Sequence, residues 1–258
     1  MSLRKDFYIV VTLVLLATVF TIAFNLSFLV STILFFAVPA TYLFIKKPRP
    51  LNRILLASMF FGLVLMFEMD FLAELNGVWV VPNPLFSAKI LGVATIDILI
   101  WSFLWVFFVV VFYEHFFEHE KIGRISPNFI YGLLPALSVL FTMLLLYVIN
   151  PEILKFNYSY LILGISSFTP FTFPAVRNKV LVPRLAIRFI KVASFFFFVH
   201  LAHELTAIKL GQWYFPAQSV GYLELVGIRL PIEEFVFWIV LSTAILLADY
   251  EYFVDDAK

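Results

Sequence analysis

The chain of 258 residues contains no cysteine and little charge. The absence of cysteine excludes disulfide bonds, thiol catalysis and thiolate-bound iron–sulfur clusters. Only 14% of the residues are charged, whereas about one quarter is typical of a soluble domain. The formal net charge of +1 gives no indication of a nucleic-acid partner. The chain is instead 63% hydrophobic and 19% aromatic, and this composition predicts an integral protein of the lipid bilayer.

Apolar runs long enough to cross a bilayer occur eight times. A transmembrane helix needs about 20 apolar residues, and we predict spans at 7–24, 28–45, 54–74, 90–115, 129–149, 158–176, 187–208 and 231–249. The first two spans meet at 25–27, either in a very tight turn or within one long helix. Pro170 and Pro174 predict a kink in the sixth span. The predicted fold class is therefore all-α, a polytopic membrane bundle of about eight transmembrane helices.

Basic residues are distributed unequally between the two sets of loops. If the N-terminus is cytoplasmic, the 18 lysines and arginines fall on the cytoplasmic side except for Lys89, Lys155, Lys209 and Arg229. Positive charge accumulates on the cytoplasmic side of membrane proteins. We therefore predict that both termini are cytoplasmic. We expect the membrane to be the plasma membrane of a prokaryote. The N-terminal apolar run lacks a small-residue cleavage site, so we interpret it as a first span and not as a signal peptide.

Two loop sequences repeat with a shift of 134 positions. DFLAELNGVWVVP (70–82) and ELTAIKLGQWYFP (204–216) share the pattern [DE]xxAxxxGxWxxP. With small gaps, GVATIDILIW (92–101) then aligns with GIRLPIEEFVFW (227–238), which sets Asp97 opposite Glu233. We predict two tandem parallel repeats of four helices, at 1–120 and 121–258. Parallel repeats usually place a shared site at their interface.

The carboxylates of the repeat lie near the outer ends of predicted spans. An ionised acid within a bilayer costs several kcal/mol, so Asp70 and Glu204 need a partner, water or a neutral state. Extension of these side chains to the interface is the alternative. The tryptophans of the loops could be interfacial anchors. PIEE (231–234) is typical of a helix N-terminus with Pro231 in the first position, but it could also direct one acid into the bundle.

Other polar residues accompany the repeated acids. His200 and His203 lie on one face of the helix that carries Glu204. Their order differs from HExxH and a third ligand is missing, so hydrogen bonding between helices or tuning of Glu204 is favoured over metal binding. Glu68 and Glu74 flank Asp70 and could compete with it for an inward position, although the repeat favours Asp70.

Together, DFLAELNGVW, ELTAIKLGQWYFP and LPIEEFVFW resemble the small integral-membrane lycopene cyclases. That family comprises two-subunit bacterial enzymes, archaeal single chains and a fused domain of fungal carotenoid enzymes. Here TIDI replaces the Pro-acid-acid motif in the first half. The resemblance implies a redox-neutral cyclisation within the membrane. An acid protonates the terminal double bond of an acyclic polyene, a neighbouring double bond attacks the tertiary cation to close a six-membered ring, and a carboxylate removes a proton.

The resemblance also implies roles for individual residues. One of Glu233 and Glu234 would be the acid, and Glu204 and Asp70 would orient it or accept the proton, with Asp97 as the first-half counterpart of Glu233. Trp79, Trp213 and Tyr214 would line the mouth of the substrate site, and His200 and His203 would lie beside it. The implied substrate is a long apolar polyene supplied laterally by the lipid bilayer. No cofactor is expected, since GxGxxG is missing and the implied reaction is redox-neutral. No metal is expected because of the histidine pattern described above, and pairing with a second copy stays open.

Two other kinds of function compete with this interpretation. A carotenoid hydratase or another isoprenoid-modifying enzyme could form the same cation and quench it with water. A proton-coupled transporter or a lipid-binding membrane protein would also suit parallel repeats with acids. The clustering of the acids near one face argues against transport. A retinal-type photoreceptor is disfavoured because Lys191 and Lys209 lie near the ends of their span.

Overall fold

The computed structural model describes residues 3–46, 51–118, 124–177 and 180–255. Within these ranges, seven helices are long and apolar enough to cross a membrane, which confirms the predicted all-α membrane bundle. They are α1 (Leu3–Phe24), α2 (Phe28–Lys46), α3 (Leu51–Leu75), α4 (Ile96–Phe116), α5 (Phe129–Ile149), α8 (Leu181–Lys209) and α9 (Glu234–Val254). Two shorter helices, α6 (Ser159–Ser166) and α7 (Thr172–Arg177), lie between α5 and α8.

The predicted boundary between the first two spans is confirmed. Asn25 has a φ of 47° directly after α1, in the left-handed region that asparagine tolerates better than most residues. The next helix begins at Phe28, after Ser27 in an extended conformation. The alternative of one long helix through this point is therefore wrong.

The sixth predicted span is broken in the middle instead of being kinked. At one end Tyr160 packs on Trp79 and Phe215, and at the other end Arg177 lies over the ring of Tyr131, at the start of α5. The segment 159–177 therefore runs from one face of the bundle to the other. Pro170 has no N–H to continue a helix. Near the break, hydroxyl groups bind backbone oxygens of the same segment, as in the 2.7 Å bond from Ser167 Oγ to the Gly164 carbonyl.

Several long helices contain wider, π-helical turns. These lie at Ile33–Ala37 in α2, at Ser58–Leu65 in α3, and at Glu234–Leu241 and Tyr250–Val254 in α9. Such turns shift the direction in which the following side chains point, and they are frequent near functional sites. The turns in α3 and α9 carry side chains that line the cavity described below.

Each of the two Trp-containing loops ends in a short β-hairpin that the sequence analysis did not predict. The turns at Leu91–Gly92 and Val226–Gly227 have φ values of 53° and 74° in both cases, the positive values that tight hairpins require. Pro231 is the last residue of a strand and not the first of a helix, so its predicted position was wrong. The strands are β1 (Lys89–Ile90), β2 (Ala94–Thr95), β3 (Tyr222–Leu225) and β4 (Ile228–Pro231).

The two loops also pair with each other at equivalent positions. Val80 and Tyr214, which are 134 residues apart, exchange two backbone hydrogen bonds of 3.0 and 3.2 Å. Gly77 and Gly211 have φ values of 65° and 64°, which explains why both loops carry glycine there. A reciprocal pair of this kind is what a twofold relation between two loops produces. Duplication of the complete halves 1–120 and 121–258 stays a prediction, and one hydrophobic core contains side chains from both.

We call the face that carries these loops the Trp-loop face, and the opposite one the terminal face. At the terminal face, buried Arg53 of α3 binds Glu114 of α4 and Asp255, and Tyr250 of α9 also donates to Glu114. Asp6 of α1 lies 3.2 Å from the His115 ring at the end of α4. Both described ends of the chain therefore lie at the same face, and which face is cytoplasmic stays a prediction from the charge distribution.

Candidate functional site

A cavity of about 530 Å³ runs through the bundle, within the size range of ligand sites. Residues of every helix from α2 to α9 and of the Trp-containing loops line it. Most of its surface is aromatic or aliphatic. All five tryptophans of the chain line it: Trp79, Trp101, Trp105, Trp213 and Trp238.

Carboxyl groups are the main polar groups in this apolar wall. They belong to Glu68, Asp70, Glu204, Glu234 and Asp249, and all are buried. One oxygen in each of four of them lacks a hydrogen-bond partner among the described residues, namely in Glu68, Asp70, Glu204 and Asp249. A buried polar atom without a partner is costly and rare. These groups are therefore available to a ligand or a proton.

The two repeated acids occupy comparable positions with different partners. Glu204, near the end of α8, accepts a 2.6 Å hydrogen bond from the indole N–H of Trp213. Asp70, near the end of α3, accepts a 2.9 Å bond from Ser102 Oγ of α4. Trp101, next to Ser102, packs edge-on against Trp213 with 6.2 Å between ring centroids. α4 therefore contacts the surroundings of both acids, since Ser102 binds Asp70 and Trp101 packs on the partner of Glu204. Both acids line the cavity, which agrees with the inward position that the repeat predicts.

Three tryptophans form one wall of the cavity beside Glu234. Trp238 follows Glu234 by one helical turn on α9, and its ring centroid lies 4.7 Å from that of Trp101 and 4.5 Å from that of Trp105. The electron-rich faces of indole rings attract cations. We refer to Trp101, Trp105 and Trp238 as the tryptophan wall.

The two histidines lie behind this wall and do not line the cavity. His200 accepts a 2.9 Å hydrogen bond from Trp105 Nε1 and stacks on Trp238 at 4.7 Å. His203 packs edge-on against Trp213 and against two phenylalanines of α2. The predicted position of both histidines in the substrate site therefore disagrees with the structure. Their contacts instead hold the tryptophan rings in place. In the part of the chain that the structure describes, no cluster of three His, Asp or Glu side chains could hold a metal ion.

Glu233 and Asp97 hold the loops instead of facing the cavity. Glu233 accepts hydrogen bonds from Ser219 Oγ and, at 2.8 Å, from the Val220 N–H. Asp97 accepts bonds of 2.6 and 3.0 Å from the N–H groups of Leu85 and Phe86. The predicted equivalence of the two acids agrees with these contacts, but neither residue lines the cavity. We reassign both to anchoring the loop before their hairpins.

Tyr214 is also reassigned. Its backbone forms the pair with Val80, and its side chain is 48% exposed and does not line the cavity. The next residue, Phe215, lines the cavity in its place. Residues alternate in direction along an extended strand, so the loop conformation decides which neighbour points inward.

The cavity reaches the outer surface of the bundle between α5 and the broken span. Tyr131 and Val139 of α5 and Ile162 of α6 line the cavity and are also 48%, 53% and 45% exposed. Hydroxyl groups beside this opening are bound to backbone oxygens, as in the 2.7 Å bond from Ser166 to the Ile162 carbonyl. The opening therefore presents an apolar route to the lipid phase, and we call it the lateral opening.

The sequence analysis missed several of these residues. Asp249 is the first acid after the uncharged run 235–248, and an acid at the end of such a run was the available signal. Trp101 and Trp105 are one helical turn apart on α4, and this spacing placed both on one face. Glu68 had been considered as a competitor of Asp70, but both line the cavity. Comparisons of the chain with protein-family models, with curated proteins and with solved structures find no match.

Proposed function

We propose that this chain is a membrane enzyme that cyclises an acyclic end of a long polyene of the lycopene type, without net redox change. The observation that carries the proposal is a set of buried carboxyl groups, several with an oxygen that lacks a partner in the described residues, in a cavity lined by tryptophan and phenylalanine. Burial away from water favours the neutral form of a carboxyl group. A neutral acid can protonate an olefin in these surroundings.

The hydrogen bonds divide the roles among the acids. A hydrogen bond donated to a carboxyl oxygen offsets part of the effect of burial, so Glu204 and Asp70, which accept bonds from Trp213 and Ser102, are the acids assigned to proton acceptance. Glu233 is bound to its loop. In the proposed mechanism, Glu234 donates a proton to the terminal double bond, and a tertiary cation forms on the adjacent carbon.

Ring closure then needs stabilisation of the cation and a base. A second double bond of the chain attacks the cation and forms the new carbon–carbon bond, which moves the positive charge into the ring. The tryptophan wall stabilises that charge through the faces of its rings and offers no nucleophile that would trap it. Glu204 or Asp70 removes a proton beside the cation to form the ring double bond, so one proton enters and one leaves.

The lateral opening suits a substrate that is dissolved in the bilayer. A polyene hydrocarbon partitions into lipid, and an apolar route avoids its transfer through water. This feature favours a lipid-phase substrate over a water-soluble transported solute.

Expression of the chain in a lycopene-accumulating bacterial host, followed by chromatography of the pigments, tests the proposal. We expect a cyclic product from the wild-type chain and from Glu233→Gln, and loss of it from Glu234→Gln and Glu204→Gln at equal amounts of membrane-inserted protein. Unchanged lycopene in the wild-type culture would contradict the proposal. A tertiary alcohol without a ring would identify a hydratase instead.

A further inference from the structure

The cavity has a second polar position, far from the tryptophan wall. Asp249 lines the end of the cavity near the terminal face and is 4% exposed. It follows Glu234 by 15 positions on α9, which places the two acids roughly 20 Å apart at the usual rise of a helix. Ring chemistry at Glu234 therefore cannot involve Asp249 directly.

Hydrogen bonds within the described residues do not explain why a carboxyl group is buried at position 249. Oδ1 has no hydrogen-bond partner within the described ranges. Arg53, a buried cation of this face, is bound to Glu114 and Asp255. The side chains that line this end of the cavity include Phe60, Phe253 and other apolar groups. An acid in such a place costs stability unless a ligand completes its hydrogen bonds.

We propose that Asp249 binds a hydroxyl group at the far end of an extended apolar ligand, whose other end lies against the tryptophan wall. A hydroxyl group both donates and accepts a hydrogen bond, and it therefore suits a carboxyl group in either protonation state. A charged headgroup would lose its hydration along the apolar route from the lateral opening. The ligand class is thus a long polyene or isoprenoid alcohol that measures about 20 Å from its reactive hydrocarbon end to its hydroxyl group. A hydrocarbon such as lycopene would lack this hydrogen bond and bind more weakly.

This inference extends the proposed function by naming the distal group of its substrate, and a binding measurement tests it without any cyclisation. The probes are parinaryl alcohol, a linear conjugated tetraene with a terminal hydroxyl, and octadecatetraene, the matched hydrocarbon. Because all five tryptophans line the cavity, energy transfer from tryptophan to the tetraene reports binding to the purified full-length protein in nanodiscs.

We expect the wild-type protein to bind the alcohol about tenfold more tightly than the hydrocarbon, as one additional hydrogen bond allows. Asp249→Leu should lose this preference and keep or improve its affinity for the hydrocarbon. Asp249→Asn should retain the preference, because an amide also donates and accepts. Glu152→Leu removes an exposed acid outside the cavity and should behave like the wild type.

Two results would overturn the inference. Equal affinity of the wild-type protein for the alcohol and the hydrocarbon would exclude a hydroxyl site, whether or not any variant folds. Tighter binding of the matched tetraene amine than of the alcohol would show that Asp249 pairs with a cation. If the wild-type protein prefers the alcohol but shows no cyclase activity, this inference stands and the proposed function is contradicted.

Discussion

Two adjacent glutamates at the start of α9 have different surroundings. Glu233 accepts hydrogen bonds from the loop at Ser219 and Val220, whereas Glu234 lines the cavity. Neighbouring residues on a helix point about 100° apart. One of the two glutamates can therefore anchor the loop while the other faces the cavity as a candidate acid catalyst. The sequence PIEE cannot show which glutamate faces inward, because the strand that ends at Pro231 sets the rotation of the helix.

The anchoring role predicts a loss of stability. Glu233→Ala and Asp97→Ala should each lower the free energy of unfolding by about 1–3 kcal/mol, because N–H groups of the loops lose a carboxylate acceptor. Thermal unfolding of the protein in detergent measures the effect. Glu224→Ala, an exposed acid of β3, is the matched control and should leave the melting temperature unchanged. Equal stability of all three variants would refute the anchoring role.

The bond between Trp213 and Glu204 gives a second prediction at this scale. Trp213→Phe removes the N–H donor 2.6 Å from Glu204 Oε1. The rate of cyclisation should fall roughly ten- to hundredfold, since the base loses a hydrogen bond of about 1–3 kcal/mol. Assays of the purified protein with saturating polyene measure this rate. Tyr214→Phe alters an exposed side chain outside the cavity, and a similar loss there would contradict the assignment.

The long helices were predictable from the sequence, but the loops were not. A run such as 129–149 is uniformly apolar, and a bilayer admits few other conformations for it, so its predicted bounds match α5. β1 and β2 have two residues each, too short for an alternating pattern. The break near Pro170 was expected only as a kink, since its extent depends on the hydroxyl groups that bind the freed carbonyls.

The sequence predicts only in part which acidic side chains point into the cavity. The repeat identified Asp70 and Glu204 because equal positions in two copies indicate equal environments. Asp249 has no such partner, and its inward position depends on the π-helical turn that precedes it on α9, at Glu234–Leu241, and on packing between helices. Packing of this kind involves residues far apart in sequence, which a local pattern does not contain.

The second hairpin contains a strained residue. Val226 has a φ of 53° and is 92% exposed, and a β-branched side chain is unfavourable in that conformation. Val226→Asn should therefore stabilise the protein by roughly 1 kcal/mol, measured as a higher melting temperature. Val220→Asn changes an exposed valine whose φ is not positive, and it should give no gain. A gain from Val220→Asn alone would contradict the strain argument.

At the scale of the whole molecule, the bundle contains a cavity that is lined by residues from both halves of the sequence and opens toward lipid. Ile162→Trp should obstruct the lateral opening, because Ile162 lines the cavity and is exposed on the bundle surface. We expect kcat/KM for a bilayer-dissolved polyene to fall about tenfold, or about 1.4 kcal/mol, mainly through KM. Val148→Trp, on the exposed side of α5 and outside the cavity, is the control. Equal values for the two variants would exclude this route.

The central claim is that a buried acid protonates an olefin within this cavity. The most direct test is the reaction of the purified protein with lycopene in D₂O, followed by mass spectrometry of the isolated pigment. We predict that each ring formed carries a single deuterium on a ring carbon, and that Glu234→Gln forms no labelled ring. A cyclic product without deuterium, or recovery of unchanged lycopene from the wild-type protein, would contradict the account.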